Sequence, residues 1–399
     1  MTQPRSDLPV VRLRPKANAR AIRHGAPWVF ADELVVDRRT GKLPGGTIAL
    51  LEDADRNAMG VVAVNPASKI IARMLDRNPQ ATIDTSWFAG RIARALDHRE
   101  RLYERPFYRL IHAEADGLPG VVVDRFGDAL AVQPNAAWAD NMLETLVDAL
   151  QAVTGAGVFV KNAGGRTRAL EGLDDRSDVI RGSVGGPVAV PMNGAVYLAD
   201  LTGGQKTGLF FDQRENHAFA ARLARGQKVL DVFSHVGGFA LAMLAGGAEN
   251  ALAVDASAPA LALASEGAER SGTGTRFGTR QGDAFAVMEG LAREGARFGV
   301  VVCDPPAFAP AKPAREAGLR AYERVARMAA GLVADGGYLC LCSCSHAVDM
   351  TAFRDASARG IGRAGRVSQL VHSGSAGPDH PVLPQLAESG YLKSLFFRL

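Results

Sequence analysis

Cysteine is scarce in this chain, with four among 399 residues. That count excludes a disulfide framework and makes a reducing cytoplasm the expected compartment. Long apolar runs are missing too. A long stretch without charge, Val232 to Ala248, holds four glycines and a histidine and falls short of the roughly 20 apolar residues that a membrane helix needs. The opening MTQPRSDLPV lacks the apolar core of a signal peptide. There is no internal repeat and no low-complexity tract, and with 47% hydrophobic and 22% charged residues little disorder is expected.

The length suggests two or three domains rather than one core. Charge is unevenly spread. Residues 1–109 hold 19 Lys and Arg against 12 Asp and Glu, whereas the remainder holds 27 against 30. A basic front end on a near-neutral body fits a module that grips a polyanion, although a solvated basic surface has the same composition. Arg12, Arg14, Arg20 and Arg23 are the arginines expected to contribute, with ordinary surface arginines as the alternative.

Residues 9–78 read as short strands separated by turn residues: VVRLRP, the LPGG turn at 43–46, TIALLED, MGVVAV and KIIARML. This pattern predicts a small β-rich barrel or sandwich, with a boundary near Asn78-Pro79. Helical spacing follows over 84–105, then strands at RLIHAEADG, GVVVDRFG and ALAVQP, one helix over 137–152 and the strand VFVKN. From about residue 228 strands alternate with helices: KVLDVFS, ALAVDAS, TRFGTRQGD, FGVVVCDPP and GYLCLCSCS, then RVSQLVH and YLKSLFFRL. Such alternation predicts an α/β domain built on a parallel sheet covered on both faces. Ligands of these sheets bind beyond the carboxyl ends of the strands.

Acidic residues and glycines gather at those ends. The turn Asp231-Val-Phe-Ser-His-Val-Gly-Gly-Phe239 would let a ligand approach Gly237 and Gly238 and the helix that follows. Its spacing is not G-x-G-x-x-G, which argues against a dinucleotide and for an adenosine ligand without phosphates. Asp255, at the end of the next strand, could accept the two hydroxyls of a ribose, and Asp283 could face an adenine amine. Each acid alone reads more simply as a cap; three at successive strand ends favour a nucleoside. The fourth strand ends in Cys303-Asp304-Pro305-Pro306-Ala307-Phe308. The prolines stop the strand and stiffen Asp304, whose carboxylate suits a hydrogen bond to a base edge; a plain strand terminator is the alternative.

Three cysteines fall at 340, 342 and 344. Strand period two puts them on one face. A closed zinc site wants four ligands and there is no C-x₂-C pair, and a disulfide between i and i+2 of one strand is geometrically poor. Cys340 and Cys342 read as small core residues. Cys344, between Ser343 and Ser345, sits where the strand runs out toward the ligand edge and a thiolate can meet a substrate.

Several stretches together resemble the bacterial 23S (large-subunit) ribosomal RNA 5-methylcytosine methyltransferases with an N-terminal PUA domain. They are RHGAPWVF (23–30), AEADGLPGVVVDRFGD (113–128), QKTGLFFDQREN (205–216), LDVFSHVGGFA (230–240), VDAS (254–257), CDPPAF (303–308), SCS (343–345), DHPV (379–382) and GYLK (390–393). The resemblance implies a PUA-like RNA-binding barrel over 1–79, a central α/β linking domain over 80–190, and a class I (Rossmann-like) methyltransferase domain over 191–399 with a mostly parallel seven-stranded sheet. It implies S-adenosyl-L-methionine as donor, ribosomal RNA as partner, no metal, and Cys344 as nucleophile with Asp304. The donor would lie against Asp212, Gln213, Arg214, Asp231, Phe233, Ser234, Gly237, Gly238, Asp255, Asp283, Asp304 and Pro305, with residues 212–214 folding over it. A homodimer is compatible with the sequence. The family commonly has Tyr where this chain has His235 and Lys where it has Ala307. Other RNA 5-methylcytosine enzymes carry a second cysteine just after the prolines, where Ala307 stands here.

The implied chemistry is attack of the Cys344 thiolate on carbon 6 of cytosine, which makes carbon 5 nucleophilic enough to be methylated. Asp304 would hold N3 and the exocyclic amine. The base that removes the carbon 5 proton is not identified, and His346 reads more simply as a surface or capping residue. Two other readings stand beside this one. An amino-group methyltransferase acting on adenine or cytosine would use an acid-Pro-Pro-aromatic turn and need no cysteine, although Phe308 comes one step late for that pattern. A non-catalytic RNA-binding or ribosome-assembly factor would keep the fold and bind no methyl donor.

Overall fold

A computed structural model describes residues 8–203 and 208–399. The first three residues of the QKTGLFFDQREN stretch, Gln205–Thr207, lie outside them. Two compact units divide the chain. One comprises Met1–Gly185, Leu201–Thr207 and Asp379–Ser389; the other comprises Gly186–Asp200, Gly208–Pro378 and Gly390–Leu399.

The first unit carries two five-stranded sheets. Strands β1 (Val10–Arg12), β2 (Trp28–Val29), β3 (Thr47–Glu52), β4 (Ala58–Val64) and β5 (Ala72–Asp76) line up as β1-β3-β4-β5-β2. Their alternating apolar residues, Val11, Leu51, Val62 and Met74 among them, build one core. The second sheet holds β6 (Phe107–His112), β7 (Val121–Phe126), β8 (Ala129–Pro134), β9 (Val158–Ala163) and β10 (Arg176–Arg181) in the order β10-β9-β8-β7-β6. The strands β8 and β9 run parallel, so a crossover must join them. The single helix expected over 137–152 is in fact two, Ala137–Asn141 and Leu143–Thr154, broken at Met142, whose φ of −105° and ψ of 20° leave the helical region.

The second unit opens with a hairpin that the sequence reading passed over, β11 (Val188–Met192) and β12 (Ala195–Ala199). Its two-residue turn is Asn193-Gly194, with φ of 52° and 76°, a pair suited to two successive left-handed residues. Seven strands follow: β13 (Lys228–Val232), β14 (Asn250–Asp255), β15 (Phe277–Gln281), β16 (Phe298–Cys303), β17 (Val333–Ser343), β18 (Gln369–Gly374) and β19 (Lys393–Arg398). They form one sheet in the order β15-β14-β13-β16-β17-β19-β18. The first five are parallel, and β19 lies antiparallel between β17 and β18.

Helices cover this sheet because its central strands are apolar on both faces; all six residues of β16 are buried. One face packs Leu230, Val254, Val301, Leu339 and Leu395 against Tyr322, Val325 and Phe353. The other packs Val229, Val300, Cys340, Cys342 and Phe396 against Phe239, Met243 and Leu261. Capping side chains fix where several helices begin: Ser257, Asp283 and Asp349 each accept a backbone N–H of the first turn. Strand order reverses at β13, which puts the usual ligand edge beyond the carboxyl ends of β13, β14, β16 and β17. Among the described residues no helix is long and apolar enough to cross a membrane.

Candidate active site

The turn after β13 is conformationally strained. Phe233, His235 and Gly237 all adopt positive φ, at 64°, 50° and 80°, and non-glycine residues in that region cost on the order of 1–3 kcal/mol each. Three features hold the turn in place. The His235 N–H donates to Asp255 Oδ2 at 2.8 Å, Gly237 N–H donates to the Ser234 carbonyl at 2.8 Å, and Phe233 meets Phe285 edge-on at 6.4 Å between centroids.

Gly238 also makes room for a neighbour within the fold. A Cβ there would sit 2.8 Å from His217 Nε2. The close neighbour is the protein's own buried imidazole, packed at 4.4 Å against Phe239. Burial drives the pKa of His217 down to about 3, with the Arg214 charge adding to the effect, so His217 is neutral.

Asp231 is almost fully buried and its Oδ2 accepts the Ala240 N–H at 2.9 Å, anchoring the helix Gly238–Ala245. Burial raises its pKa to about 8, and the charges of Asp304 and Asp255 push the same way. Its Oδ1, the Ser234 hydroxyl and Asp212 Oδ1 are buried without a partner. Such orphaned polar atoms at the sheet's ligand edge fit a polar molecule that would complete them. Asp255 ends β14 half-buried, its two oxygens accepting from His235 and Ser257 N–H. Asp283 is exposed and caps the helix Ala284–Arg293 through Ala286 N–H at 2.9 Å.

Residues distant in sequence converge on Asp304. Its backbone N–H donates to the Val232 carbonyl at 3.2 Å, and its Oδ2 accepts from Gln213 Nε2 at 2.9 Å. Gln213 is in turn gripped by Asn216, whose Nδ2 donates to Gln213 Oε1 at 2.6 Å. Asp212 Oδ2 accepts from the Tyr391 hydroxyl at 2.7 Å. Arg214 is buried with its guanidinium 5.4 Å from the Phe211 ring. Pro305 is buried, Pro306 exposed and Ala307 half-buried.

The strand β17 ends at Ser343, so Cys344 lies just past it rather than on the strand face shared by Cys340 and Cys342. Those two are core residues, their sulfurs 3.8 Å apart and each within 3.4 Å of Ser394 Oγ. Cys344 alone of the four cysteines is not buried. Its flanks are tightly held. Tyr322 Oη lies 2.8 Å from Ser345 Oγ and accepts from Ser343 Oγ at 2.9 Å. Ser345 Oγ also accepts the Ala309 N–H at 2.9 Å, which ties the segment after the prolines to the segment around Cys344. Lys393, buried on β19, donates to the Ser345 and Tyr391 carbonyls at 3.0 and 2.7 Å. His346 is exposed, its ring 5.6 Å from that of Tyr391. The sequence reading did not single out Tyr322, Asn216 or Lys393. Lys393 and Asn216 carried a signal only as the last residues of GYLK and QKTGLFFDQREN.

In the first unit, Arg12 pairs with Glu52 at 2.8 Å and Arg23 pairs with Asp53. Arg14 is exposed with its Nε on the Leu34 carbonyl at 2.9 Å, and Arg20 is exposed on the short helix Ala19–Arg23. Among the described residues no group of three or more His, Cys, Asp or Glu could hold a metal ion.

Comparison with known proteins adds two family matches, a relative and two solved structures. Residues 124–398 match the family of S-adenosylmethionine-dependent methyltransferases, and residues 11–77 match the PUA-like domain. The ribosomal RNA large subunit methyltransferase I of Aeromonas hydrophila is 32% identical over 391 residues, spanning 96% of this chain and 98% of its own. A Streptococcus mutans structure described as a candidate SAM-dependent methyltransferase aligns with a TM-score of 0.82 at 17% identity, over 98% of this chain and 100% of that one. Another structure, a candidate methyltransferase in complex with SAH, aligns equally well at 19% identity, over 98% and 99%. These two likenesses establish a shared fold.

Proposed function

This chain belongs to the S-adenosylmethionine-dependent methyltransferase family, and from that premise we propose that it forms 5-methylcytosine in 23S ribosomal RNA with Cys344 as the nucleophile. One observation carries the proposal. The thiol of Cys344 is the one cysteine sulfur not buried, and it leaves the carboxyl end of β17 beside the strand that delivers Asp304. The relative's name, which specifies large-subunit ribosomal RNA, and the match to the PUA-like domain support the substrate.

S-adenosylmethionine, when bound, supplies an electrophilic methyl group. The orphaned oxygens of Asp231, Ser234 and Asp212, with Gln213, Arg214, Phe233, Gly237, Gly238, Asp255, Asp283 and Pro305 around them, would hold it. Cys344 Sγ attacks carbon 6 of the unstacked cytosine, the 5,6 double bond shifts its electron pair, and carbon 5 becomes the nucleophile. Asp304, aimed by Gln213, accepts from the exocyclic amine and in its protonated form donates to N3, which offsets the negative charge that builds on the ring as the thiolate adds. Carbon 5 would take the methyl group as the donor's sulfonium becomes a thioether, after which loss of the carbon 5 proton to a base restores the double bond and expels the Cys344 thiolate. The base must leave its stack to reach this edge. Residues 1–79 would grip the RNA through phosphate contacts, residues 80–190 would link, and residues 191–399 would carry the chemistry.

The decisive experiment replaces Cys344 with alanine and offers RNA containing 5-fluorocytosine to the wild type. Loss of methylation in the variant, with a covalent complex on the wild type that the variant does not form, is the expected result. Undiminished methylation by Cys344→Ala would refute the nucleophile and favour an amino-group methyltransferase. Mass-spectrometric mapping of 23S RNA from cells lacking the protein should show one missing 5-methylcytosine.

A further inference from the structure

A buried ammonium is costly unless its charge is answered. Lys393 is 6% exposed, and the partners of its Nζ are two backbone carbonyls, Ser345 at 3.0 Å and Tyr391 at 2.7 Å. Carbonyl dipoles satisfy donors but carry no net charge. The register of β17 against β19 pairs Ser343 with Lys393, so this side chain springs from beside the end of the cysteine-bearing strand, and its bond to Ser345 brings the ammonium to the residue after Cys344. The groups whose charge favours the ammonium are Cys344 and Asp349. Asp349, however, caps the helix Met350–Arg363, lies 3.6 Å from Arg315 and is largely exposed. That leaves the Cys344 sulfur, which is half-buried, as the nearby site where a counter-charge can form.

We infer that Lys393 is a positioning residue that holds Cys344 as a thiolate. The inference rests on the reading of Cys344 as the nucleophile. The thiol gives its proton to water, its electron pair stays on sulfur, and the neighbouring ammonium stabilises the charge. The other groups around this sulfur do not supply that charge. Tyr322, on the helix Arg315–Ala330, is kept neutral because burial raises its pKa. Asp304 and Asp349 are acids that oppose a thiolate. His346 is exposed and faces Tyr391. Burial draws the Lys393 pKa down while Cys344 and Asp349 restore it, so the ammonium and the thiolate support each other.

The test is the pH dependence of iodoacetamide alkylation at Cys344 in the full-length protein, read by peptide mass spectrometry; the other three cysteines are buried. In the wild type the rate should titrate below the ordinary thiol value of about 8.5. Lys393→Met should move the midpoint up by about one unit, a roughly tenfold slower alkylation at neutral pH, and Lys393→Arg should restore most of it. A purely structural lysine would give a midpoint unchanged by Lys393→Met, which overturns the inference. If Lys393→Met does not fold, the wild type decides: a midpoint at or above the ordinary value overturns it, and one below supports it. Because alkylation needs no RNA and no donor, this outcome is separable from the methylation assay of Cys344→Ala.

Discussion

The side-chain amide of Gln213 donates to Asp304 Oδ2 at 2.9 Å, while Asn216 occupies the amide oxygen at 2.6 Å. With its oxygen engaged, the amide presents its N–H to the carboxylate and fixes where that carboxylate points. Asn216 is itself anchored on the Ser375 carbonyl at 3.1 Å. A hydrogen bond to a charged group contributes about 1.5–3 kcal/mol. Gln213→Ala should therefore lower kcat/KM by roughly ten- to a hundredfold. Gln213→Glu, which sets a like charge against Asp304, should lower it further. Steady-state methylation of a ribosomal RNA fragment checks both.

Tyr322 joins Ser343 and Ser345 on either side of Cys344. Tyr322→Phe keeps the ring contact with Phe353 at 5.1 Å but leaves two buried hydroxyls short of a partner. The expected cost is about 1–3 kcal/mol in unfolding free energy, measured by urea denaturation. Turnover should fall by more than donor binding does, because the segment carrying the thiol is what loosens.

Stability should peak near pH 6. Burial holds His217 at about 3 and His112 at about 2, both below their unfolded value of about 6.5. The unfolded chain binds more protons in that interval, so stability falls as pH drops below 6.5, by up to about 1.4 kcal/mol per unit for each histidine. Asp231 behaves in the opposite sense. Its folded pKa of about 8 exceeds the ordinary carboxyl value of 3.8, so the native state keeps a proton that the unfolded chain has lost, and stability falls as pH rises toward 8. Asp231→Asn should abolish the decline between pH 6.5 and 8 and steepen the acid limb between about pH 4 and 6.5, where Asp231 opposes the two histidines, as read from thermal denaturation across pH.

The arginines of the first unit should contribute unequally to RNA binding. Arg12 and Arg23 are paired with Glu52 and Asp53, whereas Arg14 and Arg20 are exposed and make no ion pair with another described residue. Arg14→Ala and Arg20→Ala should each reduce the salt dependence of binding by about one counterion, with smaller effects for Arg12→Ala. Filter binding at several salt concentrations distinguishes them.

Local signals in the sequence carried much of this architecture. The alternation of apolar strands with helices after residue 228 is set by side-chain periodicity, and the chain follows it from β13 to β17 and on to β19. Cys340 and Cys342 read as core residues because small apolar side chains suit a strand interior, and both are buried. The hairpin at Asn193-Gly194 went unread although its turn pair is a strong signal, because short strands on a domain margin have little periodicity of their own. The break at Met142 has no sequence mark. Tyr322 and Lys393 were illegible for another reason. Each meets its partners only through tertiary packing: Tyr322 is reached from Ser343 across 21 positions and Lys393 reaches Ser345 across 48, and nothing in either neighbourhood announces the other.

The placement of β19 bears on how safely the chain can be made. Because it lies between β17 and β18, a product cut short before Lys393 leaves β17 with a naked flank and β18 with no neighbour at all. Unpaired strand flanks invite pairing between chains. Such a fragment would lack the lysine beside the reactive sulfur and would also be primed to stick to its copies, so truncation here endangers solubility as well as turnover.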